Sequence, residues 1–84
     1  MLKLYLITQG KRTGYDTYDS AVVAAENAEK AANMHPCDGR PLNECDHEYD
    51  GTWVTDASHV TVTLIGTAAK NVQAGVVCAS FNAG

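Results

Sequence analysis

The segment of residues 15–36 constrains the fold most strongly, because it passes directly from a strand pattern into a helix pattern. Its first part is rich in β-branched and aromatic residues and predicts a strand over residues 15–25. Asn27 can cap the backbone N–H groups of a following helix with its side-chain oxygen. Residues 28–34 are good helix formers, and Pro36 ends the helix because it has no backbone N–H. The chain therefore needs both a sheet and a helix.

Three further segments have strand patterns. Leu2, Leu4 and Leu6 alternate with other residues, which predicts a strand over residues 2–8 with the leucines facing the core. Residues 59–67 and 74–81 alternate valine and other β-formers, and each predicts a strand. The element order is therefore ββαββ.

This order predicts an α+β fold in a single domain of residues 1–84, a length that suits one domain. Short connections favour hairpins between consecutive strands. We therefore expect a four-stranded antiparallel sheet of strand order 2-1-3-4, with the short helix on one face and a long loop over residues 36–58 before the third strand. The expected anchors of this loop on the core are Leu42, Tyr49, Trp53 and Val54.

The chain is acidic, with a formal net charge of −4. Phosphate backbones attract Lys and Arg, so the sequence predicts no direct binding of nucleic acid. It has no apolar run long enough for a membrane span and no signal-peptide pattern, so we expect a cytoplasmic protein without membrane contact.

Acidic and aromatic residues together form the candidate partner-binding set. Aromatic side chains are common anchors at protein interfaces, and an acidic patch can meet a basic partner. The alternatives are a solvated acidic loop and aromatic rings that belong to the core. The set comprises Tyr15, Tyr18, Asp38, Glu44, Asp46, Glu48, Tyr49, Asp50 and Trp53.

Two cysteines and two histidines lie close together in the loop, at His35, Cys37, Cys45 and His47. Zn²⁺ accepts two thiolates and two imidazoles, so a zinc-stapled domain is the alternative function. Their spacing is not that of the usual zinc motifs, and a Cys37–Cys45 disulfide or unpaired loop residues are other interpretations. We otherwise expect no cofactor.

The sequence contains no nucleophile elbow and no phosphate-binding loop. A thiolate pair between Cys37 and a loop histidine is conceivable in principle, but no oxyanion arrangement accompanies it. We therefore expect a protein that is not an enzyme.

The combination of LYLITQ, GYDTYDSAVVAAENAEKA, MHP, VTVTLIGTA and GVVCASFNAG resembles a family of small, functionally uncharacterised proteins encoded by phages and prophages. The resemblance covers the helix and both predicted hairpins and is weakest over residues 37–51. It implies a phage accessory protein of the host bacterial cytoplasm, and it supplies no catalytic residues. By analogy of size and origin, such a protein binds a host protein or complex and inhibits it, for example a CRISPR defence complex. A homodimer through a sheet face or edge strand fits the same class.

Overall fold

The computed structural model describes residues 2–10, 17–37, 39, 41–42, 53–54 and 57–82. The first two strands are followed by a short helix, and a 3-10 turn precedes the last two strands, which confirms the α+β class. The elements are β1 (Lys3–Thr8), β2 (Thr17–Ala25), α1 (Ala28–Ala32), the 3-10 helix Ala57–His59, β3 (Thr61–Thr67) and β4 (Gly75–Asn82).

The four strands form one sheet in the order β3-β1-β2-β4. Every pair of neighbours is antiparallel, and the predicted pairing of β1 with both β2 and β3 is confirmed. The predicted order 2-1-3-4 is wrong, because β4 pairs with β2 rather than with β3. As a result, β3 is an edge strand, whereas the sequence analysis placed it inside the sheet.

The connection between β3 and β4 explains this difference. Thr67 pairs with Lys3, and Gly75 pairs with Ala24, so β3 ends and β4 begins at the same end of the sheet. Three strand spacings are about 14 Å, and the connection over residues 68–74 can span about 23 Å when extended. It is therefore long enough to cross the sheet instead of turning back as a hairpin. Ala68 fixes its start, since its backbone N–H donates to the Leu2 carbonyl at 2.9 Å.

The core lies on the sheet face that α1 contacts. Tyr5 and Ile7 of β1 are buried there, together with Ala21, Val23 and Ala25 of β2. The prediction that the leucines of β1 face the core is wrong, because Leu4 and Leu6 are only half-buried on the opposite face. Both faces of this strand are apolar in sequence, so alternation alone could not decide which one is buried.

The cap of α1 forms as predicted. Asn27 has an extended backbone, and its Oδ1 accepts a hydrogen bond from the Lys30 backbone N–H at 2.8 Å. The helix ends at Ala32, two residues before the predicted end, and Ala31 is its fully buried residue. Such a short helix depends on its contacts with the sheet rather than on its own propensity.

Residues after the helix fold back on it and complete the core. The Leu42 backbone N–H donates to the Asn33 carbonyl at 3.0 Å, and the Leu42 side chain is buried. Trp53 and Val54 are also buried, so three of the four predicted anchors are confirmed. The fourth, Tyr49, lies outside the described residues.

The burial of β1 predicts unequal costs for two neighbouring truncations. Ile7→Ala should lower the free energy of unfolding by about 2–5 kcal/mol, because it opens a cavity at a fully buried site. Leu6→Ala should cost about 1 kcal/mol, since its side chain is only half-buried. Urea unfolding followed by circular dichroism measures both. A larger cost for Leu6→Ala would place the core on the leucine face.

The cap predicts a second stability effect. Asn27→Ala should lower the free energy of unfolding by about 1 kcal/mol, because the Lys30 N–H loses its acceptor. Asn27→Asp keeps a capping oxygen and serves as the matched control, with little expected change. Equal losses in the two variants would show that the side-chain hydrogen bond does not stabilise the helix.

Candidate protein-binding surface

Both edges of the sheet are strands without charge. β3 has the sequence TVTLIGT and β4 has the sequence GVVCASFN, so neither contains a charged residue or a proline. Among the described residues, no strand pairs with the outer side of either one. Edge strands present unpaired backbone N–H and C=O groups, and proteins commonly guard them with lysine or proline. These two edges lack that protection.

The large hydrophobic side chains that the described residues expose lie on these two strands. Leu64 and Ile65 of β3 are 58% and 51% exposed, and Val77 and Phe81 of β4 are 53% and 44% exposed. Leu64 pairs with buried Tyr5 and Phe81 pairs with Tyr18, so both lie on the core side of the sheet but beyond the part that is covered. Each edge thus offers apolar side chains next to unpaired backbone groups.

A register shift interrupts each edge strand. Leu4 and Tyr5 pair with Gly66 and Leu64, which leaves Ile65 as the extra residue of β3. In β4 the extra residue is Val77, between the partners of Val22 and Val23. Bulges bend and twist a strand and are common at sheet edges. They limit the regular part of each edge to one side of the bulge.

Tyr18 connects the predicted binding set to the β4 edge. Its ring meets the Phe81 ring edge-on, with centroids 4.8 Å apart, and meets the His35 ring at 6.1 Å. Such edge-to-face pairs are favourable beyond the area that they bury. Tyr18 is half-buried, so its ring both packs against Phe81 and is partly exposed to solvent.

None of the charged side chains of the described residues lies in β3 or β4. They are exposed and lie in β1, β2, the β2–α1 turn, α1 and the β3–β4 connection, and they comprise Lys3, Asp19, Glu26, Glu29, Lys30 and Lys70. Lys30 and Glu26 form an ion pair at 3.1 Å that is open to solvent, so it adds little to stability. In the described part of the chain, the two edge strands are thus uncharged and the charged side chains lie in other elements.

The other predicted partner-binding residues are only partly placed. Trp53 is completely buried, and its indole Nε1 has no hydrogen-bond acceptor among the described residues. Its ring belongs to the core, the alternative that the sequence left open. Tyr15, Asp38, Glu44, Asp46, Glu48, Tyr49 and Asp50 lie outside the described residues.

Two of the four predicted metal ligands lie among the described residues. His35 is buried, and its Nδ1 accepts a hydrogen bond from the Cys37 backbone N–H at 3.0 Å, so this nitrogen cannot bind a metal at the same time. Cys37 is exposed with a reduced thiol. Cys45 and His47 lie outside the described residues. In the described part of the chain, no three His, Cys, Asp or Glu side chains converge on a point that could hold a metal ion.

An open groove crosses the end of the sheet beside the β3–β4 connection. It is lined by Leu2, Glu26, Ala69, Lys70 and Val72. This lining offers one carboxylate and one ammonium group but no nucleophile.

The exposed residues of β3 and β4 are not among the predicted binding residues. The signal was present, because both segments lack charge and proline. Lack of charge indicates a binding surface only when the strand lies at an edge of the sheet, because a strand inside a sheet already pairs on both sides. The predicted order placed β3 between β1 and β4.

Comparisons with protein-family models, with curated proteins and with solved structures found no match to this chain. No helix in the described part of the chain is long and apolar enough to cross a membrane.

The burial of Trp53 predicts a contrast between two substitutions. Trp53→Ala should lower the free energy of unfolding by about 3–5 kcal/mol, because it removes a large buried ring. Trp53→Phe should cost clearly less, since it keeps an aromatic ring and leaves no acceptor without its donor. Thermal unfolding measures both, and a Trp53→Ala variant of unchanged stability would contradict a core role.

Proposed function

We propose that this protein is a non-enzymatic phage accessory protein that binds a host protein in the bacterial cytoplasm and inhibits it. The class of target that we propose is a host defence complex such as a CRISPR effector. The proposal rests on the resemblance to phage-encoded proteins and on the uncharged, apolar sheet edges.

The β3 edge is the observation that supports binding best. An exposed strand can accept an extended segment of a partner through main-chain hydrogen bonds, while side chains beside it give specificity. Leu64 and Ile65 are more than half exposed at this edge, between Thr63 and Gly66. A partner strand that adds to β3 would cover both side chains and satisfy its backbone groups.

Charge favours a partner that approaches this edge rather than the rest of the surface. The chain has a net charge of −4, and none of its charged residues lies in β3. The strand itself therefore neither attracts nor repels a charged partner. A basic rim on the partner would in addition be attracted by the acidic remainder of the chain.

A phage-plaquing assay tests the function. We expect expression of the chain to restore plaquing of a targeted phage on bacteria with an active CRISPR system, and to change nothing on bacteria without it. Leu64→Asp should abolish the restoration, because a carboxylate at the centre of β3 would be buried by the added strand. Gln73→Asp adds the same charge to the exposed β3–β4 connection and should act like the unchanged chain.

A binding assay with the purified effector complex tests the proposed target and the proposed binding edge independently. Leu64→Asp should weaken that binding about tenfold or more, which corresponds to about 1.4 kcal/mol. Wild-type protein that neither binds the complex nor restores plaquing would overturn the proposed target. Restoration by Leu64→Asp at the wild-type level would show that β3 is not the binding edge.

A further inference from the structure

We propose that the protein forms a homodimer in which β4 pairs antiparallel with β4 of a second copy, around a two-fold axis at Ala79. The two four-stranded sheets would then continue as a single sheet. This inference goes beyond the proposed function, because such a dimer forms in the purified protein without any host partner.

The positions of the exposed side chains select this axis. In a two-fold strand pair, residues equally far from the axis on opposite sides face each other. With the axis at Ala79, Phe81 of each copy stands opposite Val77 of the other. These are the two large exposed hydrophobic residues of β4, so each would gain an apolar cross-strand partner.

The backbone of β4 is suited to this contact. Cys78, Ala79 and Ser80 pair in register with Val22, Ala21 and Ser20 of β2, and Phe81 pairs with Tyr18 after a second register shift that leaves Asp19 of β2 as an extra residue. The Tyr18 ring lies edge-on to Phe81 and helps to hold it in place. Ala79, Cys78 and Ser80 are small and exposed, so a second strand can approach closely at the axis.

Charge permits identical copies to meet here. Each copy has a net charge of −4, which opposes association over most surfaces. β4 contains no charged residue, so a β4–β4 pair brings no like charges directly opposite each other. The charged residue of β2, Asp19, lies one strand inward from the contact.

β3 fits the same role less well. Like β4, it has a bulge, here at Ile65 and next to Gly66. A two-fold axis at Thr63 would place Ile65 opposite Thr61 and Leu64 opposite the half-buried Val62, so neither large exposed side chain would meet another one. Self-pairing through β4 also leaves β3 accessible to a different partner.

A charge-exchange experiment tests the axis. Sedimentation velocity over a concentration series should show a dimer for the unchanged chain and monomers for Ala79→Lys and for Ala79→Glu, because each variant places like charges directly opposite at the axis. Mixing the two variants should restore a dimer, since the opposed charges then attract. This recovery also shows that both variants are folded.

Leu64→Lys is the matched control, because it adds a charge to the centre of the other edge. It should remain dimeric. The proposal is overturned if the unchanged chain is monomeric throughout, if Ala79→Lys stays dimeric, or if Leu64→Lys alone abolishes the dimer. A monomeric wild-type chain that still restores plaquing would overturn the dimer and leave the proposed function intact.

Discussion

A helix of five residues can cover only part of a four-stranded sheet, and this constraint shapes the whole molecule. At 1.5 Å per residue, α1 is about 7.5 Å long, whereas four strands extend over about 14 Å between the outer backbones. The covered area therefore contains Tyr5, Ile7 and Val23 of the two central strands. Side chains on the same face of the outer strands, such as Leu64 and Phe81, extend beyond the cover.

The rest of the core comes from the segment between α1 and β3. Leu42, Trp53 and Val54 are buried beside α1, although each lies in the segment between the helix and β3. Backbone hydrogen bonds from Leu42 and Gly39 to the end of the helix region fix the start of this segment. Gly39 has a φ of 81° and packs against Gly75 and Val76, so the segment also contacts the start of β4. A small protein thus uses loop residues where a longer one would use a second helix.

Incomplete cover also explains why the edges are the candidate functional surface. The two outer strands carry no charge, and they combine exposed apolar side chains with an outer side that no other strand of the described residues pairs with. Each strand has a bulge, and the two edges differ in their side chains: Leu64 and Ile65 of β3 are adjacent and more exposed, whereas Val77 and Phe81 of β4 lie four residues apart. One molecule can therefore bind a copy of itself at one edge and a different protein at the other.

Local patterns in the sequence determined the number and type of elements. The strand over 17–25, the Asn27 cap and the anchors Leu42, Trp53 and Val54 follow from side-chain chemistry that acts over a few residues. The buried face of β1 did not follow, because Tyr5 and Ile7 are as apolar as the leucines beside them, and only the position of the helix distinguishes the two faces. The strand order did not follow either, since a connection of seven residues over 68–74 can form a hairpin or cross the sheet. Tertiary structure alone made β3 an edge strand, because the pairing of β4 with β2 depends on contacts between residues that are distant in the chain, such as Tyr18 and Phe81.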